Sequence, residues 1–255
     1  MSDEYHNKER RAIYIFEIYP YKMRADQELM DLKCHDCVDK SCATAVLGGE
    51  ELDLIFKNRY ITSVRKKTNI LNEGSPTSHI IYLRSGLVKE FINRSDNQEQ
   101  ILQIILPHSY LGLTSIFGDK VNHYSYTALT DLRLCYIDID VFTSLVKKNG
   151  NFAYEILTSV GRESLNSFHR FIDQNHKKIY GRIADILIYF SKVIFSDNKF
   201  QIPLTRQEIA DMVGTSREST GRVLAKFQAE DIIGIHGRNI VINDIGKLEK
   251  ISRYG

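Results

Sequence analysis

The chain has 255 residues, of which 43% are hydrophobic and 26% are charged, and its net charge is only +2. This composition is typical of a globular protein, and binding to nucleic acid would need locally clustered basic side chains. No apolar stretch approaches the roughly 20 residues that span a bilayer, and the N-terminus lacks the apolar core of a signal peptide. We therefore expect a cytoplasmic protein without a membrane partner, in which thiols stay reduced.

Four cysteines make up the whole cysteine complement, and three of them lie close together in a polar segment near the N-terminus. Ligation by cysteine alone selects zinc or an iron–sulfur cluster over metals that prefer oxygen ligands. A folded domain can bring the distant fourth cysteine to the other three, so we predict one metal centre bound by Cys34, Cys37, Cys42 and Cys135. Structural zinc and redox-active or unused thiols are the alternatives.

The segment after the clustered cysteines predicts a short helix over Gly48–Phe56, with acidic residues in its first turn. From Arg59 to Phe142, short alternating apolar runs are broken by glycine turns, which is typical of a closed or sandwiched β-structure. Cys135 falls inside the last run and would be held rigidly. We expect an N-terminal extension over residues 1–33 and a sensor domain over residues 34–150.

A long amphipathic helix is predicted from about Asn151 to Lys177, within a dimerisation segment over residues 151–178. Side chains recur along it at alternating steps of three and four residues, which is the spacing of a coiled-coil seam. The predicted seam residues are Leu165, Phe168, Ile172, Asn175 and Ile179. We expect the seam to pair with a second subunit, and a helix that only covers the core is the alternative.

Residues 179–255 are predicted to form a helix-turn-helix domain. Thr205 is a suitable N-cap with a glutamate three positions on, Gly214 supplies the turn, and Ser216 caps the second helix. The apolar run Ile232–Ile242 is predicted to form a hairpin, which would be a wing behind the motif.

The outward face at the start of the second helix carries side chains that match DNA. Two arginines fit the acceptors of guanine, and a glutamate can accept from cytosine. Two serines and a lysine are suited to phosphate contacts that set the register. A helical hairpin with a solvated charged face is the alternative. In chain order, the predicted DNA-binding residues are Ser216, Arg217, Glu218, Ser219, Arg222 and Lys226.

This order of elements resembles the Crp/Fnr superfamily of bacterial transcription regulators, over roughly residues 34–250. The resemblance implies an α+β fold with an N-terminal β-roll, which is a jelly roll like that of cyclic-nucleotide-binding domains. A long dimerisation helix and a C-terminal winged helix-turn-helix follow. Within the superfamily, the cysteines are similar to those of the oxygen-sensing FNR branch, the regulators of fumarate and nitrate reduction.

In the FNR branch, three N-terminal cysteines and one cysteine of the β-roll hold a [4Fe-4S] cluster. The stretch Ala128–Asp138 is similar to that branch around the fourth ligand, although the loop over residues 38–41 is one residue shorter than is typical. The resemblance implies that a [4Fe-4S] cluster is bound by Cys34, Cys37, Cys42 and Cys135.

The recognition helix looks more like that of the cyclic-AMP receptor branch. Gly221 stands where the oxygen sensors usually have serine, next to the second base-reading arginine. A palindromic site with half-sites closer to TGTGA than to TTGAT is therefore expected. Cyclic AMP itself is not expected as the ligand, because Tyr110–Thr127 lacks the Gly-Glu and Arg-Ser pairs of the receptor's phosphate cassette.

The resemblance implies a homodimeric regulator that is active without oxygen, binds double-stranded DNA and contacts RNA polymerase. Oxygen would degrade the cluster, weaken the seam and lower the affinity for DNA. The alternative is a Crp-type regulator with a small organic or haem effector in the β-roll, or a structural zinc, and no cluster. The sequence has no glycine-rich phosphate loop or nucleophile elbow, so we do not expect an enzyme.

Overall fold

The computed structural model describes residues 34, 37, 39–94 and 98–255. The extension predicted over residues 1–33 lies outside this part of the chain. The described residues fall into two compact units, which divide within the long helix between Leu165 and Asn166. In the described part, every helix is too short or too polar to cross a bilayer.

The first unit consists of two short helices, eight strands interrupted by a helical turn, and a helix that leads into the long helix. Its elements are α1 (Cys42–Ala45), α2 (Gly49–Lys57), β1 (Arg59–Val64), β2 (Asn69–Leu71), β3 (His79–Ser85), β4 (Val88–Asn93), β5 (Glu99–Ile105), β6 (Ser109–Leu111), α3 (Leu113–Gly118), β7 (Ser125–Ala128), β8 (Leu132–Asp138), α4 (Ile139–Lys148) and α5 (Gly150–His176).

The strands form two antiparallel four-stranded sheets, in the orders β1-β8-β3-β6 and β2-β7-β4-β5. Alternation along β3 assigns its side chains to two cores. Ile81 and Leu83 pack in one core with residues of the second sheet. Ile80 and Tyr82 pack in the other core, with α2, α4 and the start of α5. The predicted sandwich of short strands is confirmed, and the two cores separate the sheet–sheet interface from the sheet–helix interface.

The second unit contains the end of α5 and a compact helical domain with a small sheet. Its further elements are α6 (Ile179–Tyr189), a π-helical segment (Phe190–Phe195), β9 (Lys199–Gln201), α7 (Arg206–Val213), α8 (Arg217–Ala229), β10 (Ile233–His236), β11 (Asn239–Ile242) and α9 (Ile245–Tyr254). Strands β10 and β11 form the predicted hairpin, and β9 pairs with β11 to complete the sheet.

The long helix ends earlier than its apolar pattern predicts. The amide of Lys177 still bonds to the carbonyl of Asp173, but the amide of Lys178 turns to the carbonyl of Gly255, 3.1 Å away. A tertiary hydrogen bond thus replaces the next helical one. Ile179 consequently begins α6 and does not lie on α5, where the seam pattern placed it.

Helix α6 continues at its C-terminal end as the π-helical segment that begins at Phe190. In this wider turn the rings of Phe190 and Phe195 stack on each other, and both also stack on the ring of Phe200 in β9. Packing of three aromatic rings therefore accompanies the local change in helix geometry.

Candidate functional site

Three of the four cysteines line one cavity of the first unit. Cys34 and Cys37 come from the N-terminal loop, and Cys135 comes from β8. The cavity has a volume of about 480 Å³, which includes space open to solvent. Its apolar walls come from α2, β1 and β8, through Leu52, Ile55, Ile61 and Ile137. Thiol groups that are remote in the sequence thus share one apolar space.

Cys135 is the fixed member of the set. It pairs across the sheet with Ile61 of β1 and with Tyr82 of β3, and its side chain is 7% exposed. A residue of a central strand is held by hydrogen bonds on both sides. The prediction that Cys135 lies rigidly inside a strand is confirmed.

The loop that carries the other cysteines is bound to the sheet by three polar contacts. The hydroxyl of Tyr82 donates to the carbonyl of Asp39 at 2.7 Å, and Nη2 of Arg84 donates to the carboxylate of Asp39 at 3.0 Å. The hydroxyl of Tyr110 lies 2.7 Å from that of Ser41. The buried Ser41 also caps α1, so the start of this helix is tied to β6.

Two guanidinium groups donate hydrogen bonds to cysteine sulfurs. Nε of Arg59 lies 3.2 Å from Sγ of Cys34, and Nη2 of Arg84 lies 3.5 Å from Sγ of Cys37. The Arg59 guanidinium also lies 5.0 Å from the ring centroid of Phe56, which supports it from α2. Donors to sulfur stabilise thiolate character and orient metal ligands.

The protonation of the thiols is governed by burial. Burial raises the pKa of Cys135 to about 11. Burial also raises the pKa of Cys34, and the charge and hydrogen bond of Arg59 oppose this rise. A bound metal deprotonates coordinating thiols outright, so binding would release protons from these sites.

Cys42 is placed differently from the other three cysteines. It is exposed in α1, and its side chain does not contribute to the cavity wall. Burial raises the pKa of Tyr110, and the charges of Cys135 and Cys42 both add to that rise, so Cys42 lies within electrostatic reach of the cavity. Across the described ranges, no three ligand-type side chains converge at metal-bonding distance.

The remaining polar lining fits an anionic, thiolate-bound centre. Three cations, Lys40, Arg59 and Arg84, and one carboxylate, Asp39, line the cavity. Arg84 is 4% exposed, and in the described part of the chain no group accepts a hydrogen bond from its Nε. A buried donor without an acceptor is costly, and such a donor in a cavity wall is satisfied by an anionic occupant.

The second candidate site is the helix-turn-helix of the second unit. Thr205 and Glu208 form the predicted capping box at α7, and Gly214 ends that helix with φ +67°. The Ser216 hydroxyl accepts from the amide of Ser219 and caps α8. The buried residues of α8 are Thr220, Val223, Leu224 and Phe227.

The predicted base-reading side chains stand exposed on the first turns of α8. Nη2 of Arg222 donates to the Ser219 hydroxyl at 2.7 Å, which holds this arginine along the helix. The Glu218 carboxylate accepts hydrogen bonds from its own backbone amide and from Ser216, and these bonds lower its pKa together with the charges of Arg217 and Arg222. Glu218 is therefore ionised at neutral pH and can accept hydrogen bonds.

Lys226 is engaged within the protein. Its Nζ lies 4.9 Å from the ring centroid of Tyr180 in α6 and 4.0 Å from the carboxylate of Glu230. A phosphate contact by Lys226 would have to compete with these two partners. Arg182, also on α6, donates to the carbonyl of Val213 at 2.6 Å and satisfies the C-terminal end of α7.

The long helix α5 exposes an apolar stripe. The exposed large apolar side chains on it are Tyr154, Leu157, Leu165, Phe168, Phe171 and Ile172. The predicted seam members Leu165, Phe168 and Ile172 are among them. Asn175 is also exposed, and its Nδ2 donates to the carbonyl of Phe171. Tyr154 and Leu157 extend the seam pattern toward the N-terminus of the helix, which the prediction omitted.

The sequence matches two family models that follow one another along the chain. The cyclic nucleotide-binding domain model matches residues 61–149, which hold most strands of the first unit. The Crp-like helix-turn-helix domain model matches residues 181–251, which hold α7, α8 and the wing.

Curated relatives match most of the chain at low identity. The anaerobic regulatory protein of Haemophilus influenzae is 25% identical over 228 residues, which are 87% of this chain and 88% of the relative. The cAMP-activated global transcriptional regulator CRP of Pasteurella multocida is 25% identical over 195 residues, which are 75% of this chain and 93% of the relative. Identity alone therefore favours neither of these two kinds of regulator.

Solved structures share the fold. A transcriptional regulator of the Crp/Fnr family from Eubacterium rectale has a TM-score of 0.70 at 22% identity, over 81% of this chain and 95% of that chain. FixK2 from Bradyrhizobium japonicum has a TM-score of 0.69 at 20% identity, over 76% of this chain and 96% of that chain. With both domain models matched in order, the chain has the domain arrangement of a DNA-binding transcription regulator of the Crp/Fnr type.

Proposed function

We propose that this chain is an oxygen-responsive regulator whose DNA binding depends on a [4Fe-4S] cluster held by Cys34, Cys37, Cys42 and Cys135. The observation that carries the proposal is the shared cavity of Cys34, Cys37 and Cys135. Thiols from a loop and a distant strand, around one cavity whose wall also contains three cationic residues, match the donor set of a thiolate-bound cluster. The anaerobic regulatory protein among the relatives supports the same function.

A four-iron cluster and a single zinc ion would both need all four sulfurs to face one centre. Sulfurs around zinc each lie about 2.3 Å from the metal, and across the described residues no three ligand-type side chains converge at such a distance. Cys42 must turn inward to complete the set. Helix α1 has only four residues, and a helix so short has little stability of its own to resist this movement.

When bound, the cluster supplies an oxygen-sensitive centre, and the chain's own residues connect its site to the long helix. The rings of Tyr82 and Tyr110 line the cavity, with centroids 5.0 Å apart. The ring centroids of Tyr110 and Phe142 of α4 lie 5.5 Å apart. Those of Phe142 and Phe152, in the first turn of α5, lie 5.2 Å apart. We name these four side chains the aromatic column.

The long helix then transmits the state of the cavity to the dimer. Two copies of the exposed stripe on α5 pair as a seam, and the dimer places two α8 helices about 34 Å apart in successive major grooves of a palindromic site. Contacts of the bound dimer with RNA polymerase activate some promoters, and occlusion represses others. Without a bound centre, the cysteine loop would be held less firmly, the packing of the aromatic column would change and the seam would weaken.

Anaerobic purification tests the proposal directly. The protein should be brown, contain iron and acid-labile sulfide, and lose its colour in air together with its affinity for DNA. Cys135→Ser should lower the iron content to background, because the central strand supplies a ligand that no neighbouring thiol replaces.

A matched variant separates ligand loss from damage to the strand. Leu134→Ala removes a fully buried side chain from the same strand, but on the face that packs in the other core. It should keep its iron. A colourless wild-type protein, or equal iron loss in both variants, would contradict the cluster.

A second candidate function keeps the DNA-binding dimer and gives the β-roll a small organic or haem effector, with zinc or no metal at the cysteines. The match of residues 61–149 to the cyclic nucleotide-binding model favours it. The buried cations in that range are already engaged, since Arg84 pairs with Asp39 and Lys89 pairs with Glu99. Calorimetry with cyclic AMP is therefore expected to show no binding, and binding that raises DNA affinity would establish the second candidate.

A further inference from the structure

Two cationic side chains of the sheet donate hydrogen bonds to sulfurs of the cysteine loop. Arg59 approaches Cys34 from β1, and Arg84 approaches Cys37 from β3. The two contacts come from different strands and reach different cysteines. Neither arginine belongs to the ligand set, so each would act through a sulfur that it contacts.

Both guanidinium groups are held in position by other parts of the unit. The Phe56 ring supports Arg59, and the carboxylate of Asp39 accepts from Arg84 at 3.0 Å. Asp39 balances one positive charge, while Arg59 and Lys40 add two more to the same wall. The Nε of Arg84 is buried without an acceptor in the described part of the chain. Three cationic side chains and one carboxylate therefore line the cavity next to the sulfurs.

We propose that Arg59 and Arg84 are positioning residues that orient the thiolates of Cys34 and Cys37 and stabilise added electron density on the bound centre. This inference rests on the proposed cluster. The reduction potential of an iron–sulfur cluster depends on hydrogen bonds to its sulfurs and on nearby charge. A reduction that adds one electron makes the centre more negative, so an adjacent guanidinium stabilises the reduced state more than the oxidised state.

The test compares Arg59→Gln and Arg84→Gln with Arg65→Gln in anaerobically purified, cluster-loaded full-length protein. Arg65 is exposed and does not line the cavity, so its replacement makes the same change in net charge elsewhere. One hydrogen bond to a charged group is worth about a tenfold change in an equilibrium constant. In a mediated titration, each cavity variant should lower the midpoint potential by about 59 mV, which is tenfold for one electron.

A second measurement follows iron transfer to a ferrous chelator under argon. Both cavity variants should release iron about tenfold faster than Arg65→Gln, because the thiolates are less well held. Arg59→Lys retains the charge and should recover most of the potential. Asp39→Asn controls for release of the loop: it should speed iron loss without lowering the potential.

Equal potentials and equal iron release in Arg59→Gln and Arg65→Gln would overturn the inference. This comparison remains informative if the more buried Arg84 variants fold poorly. If the wild-type protein holds no iron, the proposed function fails, and the same variants are compared for Co²⁺ binding through thiolate charge-transfer absorbance. Weaker Co²⁺ binding by Arg59→Gln than by Arg65→Gln would still support the arginine role, and equal binding would refute it.

Discussion

Glu218 is the predicted acceptor for a cytosine amino group, and its neighbours in α8 favour its ionised form. It lies in the first turn of α8, where Ser216 bonds to it and Arg217 and Arg222 flank it. These groups lower its pKa, so the side chain remains an acceptor throughout the neutral range.

The variant Glu218→Ala should relax the preference for a single base pair in each half-site by about 1–3 kcal/mol. The reason is the loss of one acceptor for a cytosine amino group. Competition binding with half-sites altered at each position measures this preference. Glu230→Ala removes the same charge from the other end of α8 and should leave the preference unchanged. Uniform weakening on every sequence would mean that Glu218 only positions the helix.

Single residues also show how much of the cysteine site the sequence could predict. Cys135 was predictable because an alternating apolar run identifies its strand. Arg59 was predictable in principle: it stands two residues from Ile61, the partner of Cys135, and side chains at that spacing share a face. Arg84 was predictable in the same way, because it stands two residues from Tyr82 on β3 and both side chains line the cavity.

At the scale of elements, local signals predicted the helix-turn-helix almost completely. Thr205, Gly214 and Ser216 each have a local physical role, as caps or as a left-handed turn, and the structure uses all three as predicted. The end of α5 was different. The helix stops where the amide of Lys178 meets the carbonyl of Gly255, and a contact between residues so distant in sequence leaves no local signal.

The stripe on α5 leads to a prediction about subunit pairing. Phe168 lies in the stripe and is 67% exposed in the single chain. Burial of such a side chain contributes about 1.5–3 kcal/mol, and a symmetric seam buries two copies. Phe168→Asp should therefore raise the dimer dissociation constant by at least about a hundredfold, as measured by analytical ultracentrifugation of anaerobic protein.

The matched control for the seam is Ser167→Asp, which places the same charge one residue away on an exposed position off the stripe. It should dimerise like the wild-type protein. Equal dissociation of both variants would assign dimerisation to another surface, and an unchanged Phe168→Asp dimer would remove the seam from the proposal.

At the scale of the whole molecule, the proposed transmission of the signal begins in one core of the first unit. The cavity, the aromatic column and the first turn of α5 belong to the same core. Close-packed interiors transmit small displacements, because side chains cannot move without displacing their neighbours. Sensing requires that this core can adopt two packing arrangements, and that the cysteine loop shifts the equilibrium between them.

Phe142 is the position where that requirement can be tested. It is fully buried between Tyr110 and Phe152. Phe142→Leu keeps an apolar side chain but removes both ring contacts. The cluster should therefore form normally in this variant, but loss of the cluster should no longer alter the seam. In wild-type protein, exposure to air should shift the sedimentation coefficient from dimer toward monomer as the colour bleaches. In Phe142→Leu the colour should bleach at the wild-type rate with at most a small shift in sedimentation.

Phe91→Leu provides the comparison, because Phe91 is a buried phenylalanine of β4 outside the aromatic column. It loses a similar amount of packing and should retain the wild-type link between bleaching and dissociation. If both variants respond to air as the wild-type protein does, the aromatic column does not carry the signal. If both lose the response, general loosening of the core is sufficient to uncouple the two sites, and a specific path through Phe142 is excluded.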